Sequence, residues 1–331
     1  MNSKNKPMYD IVGIGNAIVD ILSFCGDDFL ENNKLAKGSM QLVDEERSAQ
    51  LYRQEPSQRN KECSGGSVAN TLAGMAALGA RAGFIGKVAN DTLGDMFTID
   101  MQSLGVTFKT QPTLEEITTA SCLVFVTPDA QRTMATYIGA CSLVSEADID
   151  ETMIRDAKVL YVEGYLWDTE HAKAAIRKAM KVAHAAGRMV AFTLSDTFCV
   201  DRHRGEFLEL INNHIDIVFA NEQEIMSLYQ TNDLEQAIEK LDGVCKVAVI
   251  TRSEKGCIVL SEGNRVEEAA AKVDQVVDTT GAGDLFASGF LYGVVNGYAL
   301  KDSAKLGNRC AGLIIRQLGA RCDAALDELV A

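Results

Sequence analysis

Short apolar runs alternate with longer stretches of helical period from residue 9 to the end of the chain. That rhythm is the signature of repeated βα units building a mostly parallel sheet. Strands are expected at 10–15, 83–88, 159–163, 190–194, 215–220 and 247–251. Helices are expected at about 67–78, 92–104, 170–186, 201–212, 222–229 and 234–241. Gly79, Gly105 and Gly187 follow three of these helices, where a left-handed cap residue belongs.

Two stretches break the rhythm, 21–47 and 110–139, both mixing Thr, Val and Phe with charged residues in partial alternation. Their pattern suits a small β-layer over the main sheet, and in an α/β enzyme such an excursion commonly serves as a lid. The expected architecture is α/β, a single domain over 1–331 with two lid segments inserted in it.

Of 331 residues, 47% are hydrophobic and 24% charged, the balance of a globular chain with a sizeable core. The formal net charge of -14 argues against a broad footprint for nucleic acid or an anionic membrane. An anionic ligand must then be held by a local device. The amino terminus is polar and leads straight into a strand, no segment reaches membrane-span length, and the nine cysteines include no C-x-x-C pair. These features point to a cytoplasmic protein with reduced thiols. His171, His184, His203 and His214 show no zinc-ligand spacing.

The local device stands in segment 276–297, VVDTTGAGDLFASGFLYGVVNG. It reads as a strand end, a glycine turn and a helix with Leu285, Phe286, Phe290, Leu291, Val294 and Val295 on a helical period. Gly281, Ala282 and Gly283 then sit at a helix start, where unpaired backbone N–H groups and the helix dipole favour a phosphate. Small side chains let that phosphate approach the backbone closely. Asp284 follows at once, so its carboxylate would lie beside the phosphoryl group, placed to take a proton from an attacking hydroxyl. An Asp in a first helical turn is equally a plain capping residue, and the flanking sequence has to decide.

D-T-T-G-A-G-D resembles the signature of the ribokinase-like family, the PfkB-type carbohydrate and nucleoside kinases. Gly65, Gly66, Ser67 and Asn70 in G-G-S-V-A-N, followed by F-I-G-K-V at 84–88 and Asp91-x-x-Gly94-Asp95, resemble a second signature of that family. The resemblance implies a three-layer ribokinase-like fold, a central, mostly parallel sheet flanked by helices with a small β lid. It also implies ATP-dependent phosphorylation of an alcohol, with Asp284 as general base, Gly281, Ala282 and Gly283 as anion hole, and the G-G-S-x-x-N turn close to the acceptor. Asn221-Glu222-Gln223-Glu224 is similar to the family's N-x-x-E motif, whose glutamate, here Glu224, helps to order magnesium-bound water near the phosphates. Thr251 to Gly256, T-R-S-E-K-G, resembles a nucleotide-contacting turn T-x-G-x-x-G, with Ser253 in place of its first glycine. Asn308 falls where the family places an adenine-flanking residue, and Asp278 with the Thr280 carbonyl resembles its potassium site, which leaves potassium activation open.

Within the family, the chain looks most like the adenosine kinases and their bacterial relatives. N-A-I-V-D, Asn16 to Asp20, is similar to their G-N-x-x-x-D motif, which implies that Asp20 holds ribose hydroxyls and Asn16 lies near the base. T-L-S-D-T-F at 193–198 resembles N-L-S-x-x-F, and Leu42, Tyr165 and Leu166 fall in regions that supply apolar walls there. Arg132 lies in a lid-like D-A-Q-R-T-M, where it would either fold over the phosphates and neutralise developing charge or stay solvated. The expected reaction converts adenosine to AMP. Ribose, fructose, inosine and guanosine are alternative acceptors, a non-catalytic nucleoside-binding protein is a rival, and the implied assembly is a monomer or a lid-mediated homodimer. A dinucleotide fold fails because Gly13-Ile14-Gly15 is followed by Ile at position 18, and a Walker loop fails because Gly86-Lys87 runs into Val88.

Overall fold

The computed structural model describes residues 7–54, 59–129, 131–322 and 324–330. Its strands are β1 (Tyr9–Ile14), β2 (Ile18–Phe24), β3 (Met40–Leu42), β4 (Arg59–Gly65), β5 (Ala82–Ile85), β6 (Val106–Phe108), β7 (Ala120–Val126), β8 (Arg132–Tyr137), β9 (Ala157–Glu163), β10 (Met189–Thr193), β11 (Ile217–Asn221), β12 (Val247–Thr251), β13 (Cys257–Ser261) and β14 (Asn264–Glu268). Its helices are α1 (Asp27–Asn32), α2 (Glu45–Gln54), α3 (Ser67–Ala77), α4 (Thr92–Ser103), α5 (Glu151–Arg155), α6 (Glu170–Ala185), α7 (Thr197–Asn213), α8 (Glu222–Tyr229), α9 (Leu234–Leu241), α10 (Ala282–Val295) and α11 (Leu300–Ile314). No helix among the described residues is long and apolar enough to cross a membrane.

The main sheet has the order β14-β13-β12-β11-β10-β9-β1-β5-β6, parallel from β12 to β6 and antiparallel at the β13 and β14 edge. Successive residues of its inner strands enter opposite cores. Ile11, Tyr161, Ala191, Ile217 and Val249 meet α3, α4 and α10 on one face; Val12, Leu160, Val190, Val218 and Ala248 meet α6, α7 and α8 on the other. Burial on both faces explains why these strands read as unbroken apolar runs. The sheet between two helical layers is the three-layer arrangement expected, and Gly79, Gly105 and Gly187 do take positive φ, at 93°, 82° and 68°.

Two expectations shift. Segment 276–280 is not a strand end: the amides of Val277 and Asp278 both reach the Ile315 carbonyl, at 2.7 and 3.2 Å, so it approaches the turn as a tethered connection. Helix α7 starts at Thr197 rather than 201, because the Asp196 carboxylate accepts the Cys199 amide at 2.6 Å and caps it there.

A second sheet, β3-β8-β7-β2-β4, rises from the carboxyl end of β1, since β2 follows directly after Gly15, Asn16 and Ala17. It reaches beyond the two segments set apart by their pattern, taking in residues 18–20 and 59–65, and within the first of them 27–32 is helix. Strand β4 shows no apolar alternation in R-N-K-E-C-S-G; it is an edge strand, paired among the described residues only with β2. Residue 130 of the second segment lies outside the described residues. This small sheet shares a core with the large one: Val19, Ile21, Leu123 and Phe125 belong to the same cluster as Ile11 and Phe286.

Candidate active site

Strand β1 is the point where strand order reverses, with β5 on one side and β9 on the other. Open α/β sheets bind ligands in the crevice at the carboxyl ends of their strands at such a point. A cleft of about 590 Å³ opens there, bounded by the main sheet, the first turn of α10 and the small sheet.

At the phosphate end, Gly281 precedes α10 with φ 73°, and a Cβ on it would come within 2.8 Å of Ala320. Only glycine enters that left-handed turn without strain. Gly283 differs: a Cβ there would meet nothing within 4 Å, so it faces open cleft. Ala282 spends its amide on the Thr279 carbonyl, 3.2 Å away, which tightens the turn. The Asp284 carboxylate reaches across to α3, accepting from Ser67 Oγ at 2.6 Å and Asn70 Nδ2 at 2.8 Å. Thr71 Oγ1 and Ser288 Oγ donate to its backbone carbonyl at 3.1 and 2.9 Å, so the two helix starts are laced together around it. Burial raises the Asp284 pKa, and its two side-chain donors and the nearby Arg321 only partly offset this. A carboxylate displaced toward neutrality is a better proton acceptor at working pH.

Arg321 was not legible as a site residue, since no motif surrounds it. It is 7% exposed and donates to the Ser64 carbonyl at 2.8 Å, the Ala69 carbonyl at 2.8 Å and Ser64 Oγ at 2.6 Å. Burial pulls its pKa down while Cys63, Asp100, Asp20 and Asp284 push it up, so it is a buried countercharge shared among these groups.

At the acceptor end, Asn16, Asp20, Gly66, Ser67 and Glu163 line a polar floor. Glu163 is fully buried and accepts from the Asn16 amide at 2.9 Å, Asn16 Nδ2 at 2.8 Å and the Val68 amide at 2.9 Å. It thereby fixes Asn16 and the start of α3, and burial lifts it to about 7 despite those donors. Sequence reasoning passed over it, although a carboxylate at the carboxyl end of an interior strand was a usable signal. Burial likewise lifts Asp20 to about 6, with Arg321 and Arg132 pulling it down and Asp284 pushing it up. Gly65 makes room for it: a Cβ there would stand 2.4 Å from an Asp20 oxygen. The walls are apolar, with Met40, Leu42, Val124 and Met134 from the small sheet and Tyr165 and Phe198 opposite. Leu166 is absent from the lining; it is buried in the core beside Trp167.

Beside the carboxyl ends of β11 and β12, Asn221 and Glu224 form a capping box on α8 and line the cleft together with Thr251. Glu224 accepts from the Asn221 amide at 3.0 Å and Asn221 Nδ2 at 2.6 Å, and burial raises it to about 7. Two of its four acceptor positions stay available, which fits holding a magnesium-bound water. Among the described residues no three His, Cys, Asp or Glu side chains cluster to hold a metal, so magnesium there would need phosphate oxygens as ligands. Ser253 takes φ 50°, in the left-handed region that favours glycine. Ser253, Gly256 and Asn308 do not line the cleft. The Asn308 amide donates to the Glu268 and Ala269 carbonyls at 3.3 and 3.0 Å, tying down the end of β14.

Arg132 lines the cleft, where its Nη2 lies 2.8 Å from Asp278 Oδ1, so the guanidinium is paired rather than solvated. Asp278 also accepts the Thr280 amide on Oδ1 and the Gly319 amide on Oδ2, each at 2.8 Å. These donors do not fit a potassium ion at Asp278. A second cation about 4 Å from the guanidinium would be repelled by roughly 4 kcal/mol at an effective dielectric of about 20.

The profile of the pfkB family carbohydrate kinases matches residues 39–325, which takes in all of the site except Asn16, Ile18 and Asp20. The chain belongs to this family. It is an ATP-dependent phosphotransferase. A probable sugar kinase from Rhizobium etli superposes with a TM-score of 0.91 at 48% identity, covering 98% of each chain. The adenosine kinase of Sinorhizobium meliloti does so with a TM-score of 0.91 at 48% identity, over 97% of this chain and 98% of that one. A probable chloroplastic fructokinase of Arabidopsis thaliana is 29% identical over 276 residues, 78% of this chain and 71% of that protein. The relatives therefore agree on the reaction and differ in the acceptor.

Proposed function

We propose that this pfkB kinase phosphorylates the primary hydroxyl of a ribonucleoside, adenosine foremost, with AMP as product. The observation that carries the reading is the contrast within one cleft: a polar floor of Asn16, Asp20 and Ser67 under apolar walls of Leu42, Met134, Tyr165 and Phe198. A ribose alone needs the floor; an attached purine gives the walls something to cover.

In this reading Asp20 accepts from the ribose hydroxyls and Asn16, held by Glu163, sets the sugar's depth. Asp284 takes the proton of the primary hydroxyl while Ser67 and Asn70 keep its carboxylate aimed. The new O–P bond forms as the bond from the γ-phosphorus to ADP breaks, and the amides of Gly281 and Gly283 receive the charge on the phosphoryl oxygens. Bound magnesium supplies charge neutralisation on the phosphates, and Glu224 and Asn221 are placed to hold its water. The small sheet acts as the lid that excludes bulk water.

A simple sugar is the second reading, favoured by the two carboxylates, Asp20 and Glu163, that line one floor. ATP consumption by the purified protein against adenosine, inosine, guanosine, ribose and fructose separates the two. Preference for adenosine is the expected result. Preference for ribose or fructose would leave the kinase and remove the nucleoside pocket.

A further inference from the structure

The carboxylate beneath the phosphate turn carries an inference that rests on assigning that turn to ATP. Asp278 opens the loop that becomes Gly281, and its side chain is 1% exposed. A buried carboxylate requires a countercharge. Among the described residues, two of its three partners, the Thr280 and Gly319 amides, are neutral, and the only full positive charge on it is Arg132. That residue belongs to the small sheet, where it pairs with Val126 at the start of β8. Its side chain is 18% exposed, so the guanidinium is sheltered rather than solvated. Thr127 closes the preceding turn by donating its amide to the Gln131 carbonyl at 3.0 Å, which holds the arginine at a fixed place on the strand.

We propose that the Arg132 guanidinium is a built-in monovalent cation for the phosphate turn, so that phosphoryl transfer by this enzyme needs no dissolved potassium. A dissolved ion would supply one positive charge to Asp278 and steady the 278–281 loop. The guanidinium supplies the same charge through a directed N–H···O bond, and it cannot diffuse away. Arg132 is thus a positioning residue, acting on the anion-binding turn through Asp278.

The test compares potassium chloride with tetramethylammonium chloride at equal ionic strength, in turnover and in thermal melting. The wild-type protein is expected to show the same turnover and the same Tm in both salts. Arg132→Met should lose roughly ten- to a hundredfold in turnover in tetramethylammonium, the scale of one charge-assisted hydrogen bond. It should recover turnover, and melt higher, in potassium, whereas Arg132→Lys should keep the cation inside the protein and stay indifferent to the salt. Activation or thermal stabilisation of the wild-type protein by potassium would overturn the proposal, as would an Arg132→Met protein whose Tm ignores potassium. The wild-type comparison stands even where a variant fails to fold. Melting needs no acceptor, so a wrong acceptor assignment would leave this test intact.

Discussion

The two ends of the cleft are built by different means. The phosphate end is a short, contiguous piece of chain, residues 278–284, in which backbone shape and the carboxylates of Asp278 and Asp284 do the work. The acceptor end gathers Asn16, Asp20, Leu42, Ser67, Met134, Glu163 and Phe198 from both sheets and from helix starts. A contiguous device depends on local geometry and fails all at once when that geometry is spoiled. An assembled pocket spreads its affinity over many side chains, so single changes cost less and alter choice of ligand before they abolish chemistry.

The largest separation between the ends should come from Asp284→Asn. Loss of a general base is worth roughly two to four orders of magnitude in kcat, with little change in ATP binding. The fold should tolerate it, because Asn70 holds a buried Oδ1 without a partner and can rotate its amide to meet the new NH₂. Unchanged kcat in a steady-state assay would sink the base assignment. Next is Gly283→Val. A side chain at this position meets open space rather than protein, so folding should survive while the phosphate loses its close approach. ATP affinity should fall roughly a hundredfold, the worth of one or two hydrogen bonds to a charged group, with acceptor binding untouched. Normal ATP titration of this variant would show that the phosphates lie elsewhere.

The same contrast decides what the sequence could reveal. The 278–284 turn was legible because all its parts are neighbours in the chain, and the parallel core because strands buried on both faces leave long apolar runs. Only local reasoning failed at the small sheet: β4 is an edge strand of polar sequence and prints no alternation. Arg321 and the Arg132–Asp278 pair were invisible for a different reason. They are contacts between distant parts of the chain, and nothing beside either arginine announces its partner. Leu166 and Asn308 were placed by family resemblance alone, and the fold uses the first in packing and the second in backbone tethering.

Asp20→Ala probes the assembled end. Removing one charged hydrogen-bond partner should raise the acceptor KM roughly tenfold and leave the KM for ATP alone. An equal rise in both would mean that Asp20 acts through the fold rather than on the acceptor.

The smallest effect is a difference in pH response between the ends. Burial raises Asp20 to about 6, so its ionised form, the acceptor for ribose hydroxyls, is present above that pH and lost below it. Asp284 is also raised, and only its ionised form takes a proton, so kcat should fall on acidification as well. The two losses are separable because they enter different constants. As pH drops through about 6, the acceptor KM should rise severalfold in the wild-type protein, since a protonated carboxyl keeps part of its hydrogen bonding. In Asp20→Ala that rise should vanish while the fall in kcat remains, because Asp284 keeps Ser67 and Asn70 as partners in that variant. A pH-dependent acceptor KM that survives in Asp20→Ala would move the titrating group to Glu163, which burial holds near 7 on the same floor, and would make Asn16 rather than Asp20 the side chain through which acidity reaches the acceptor.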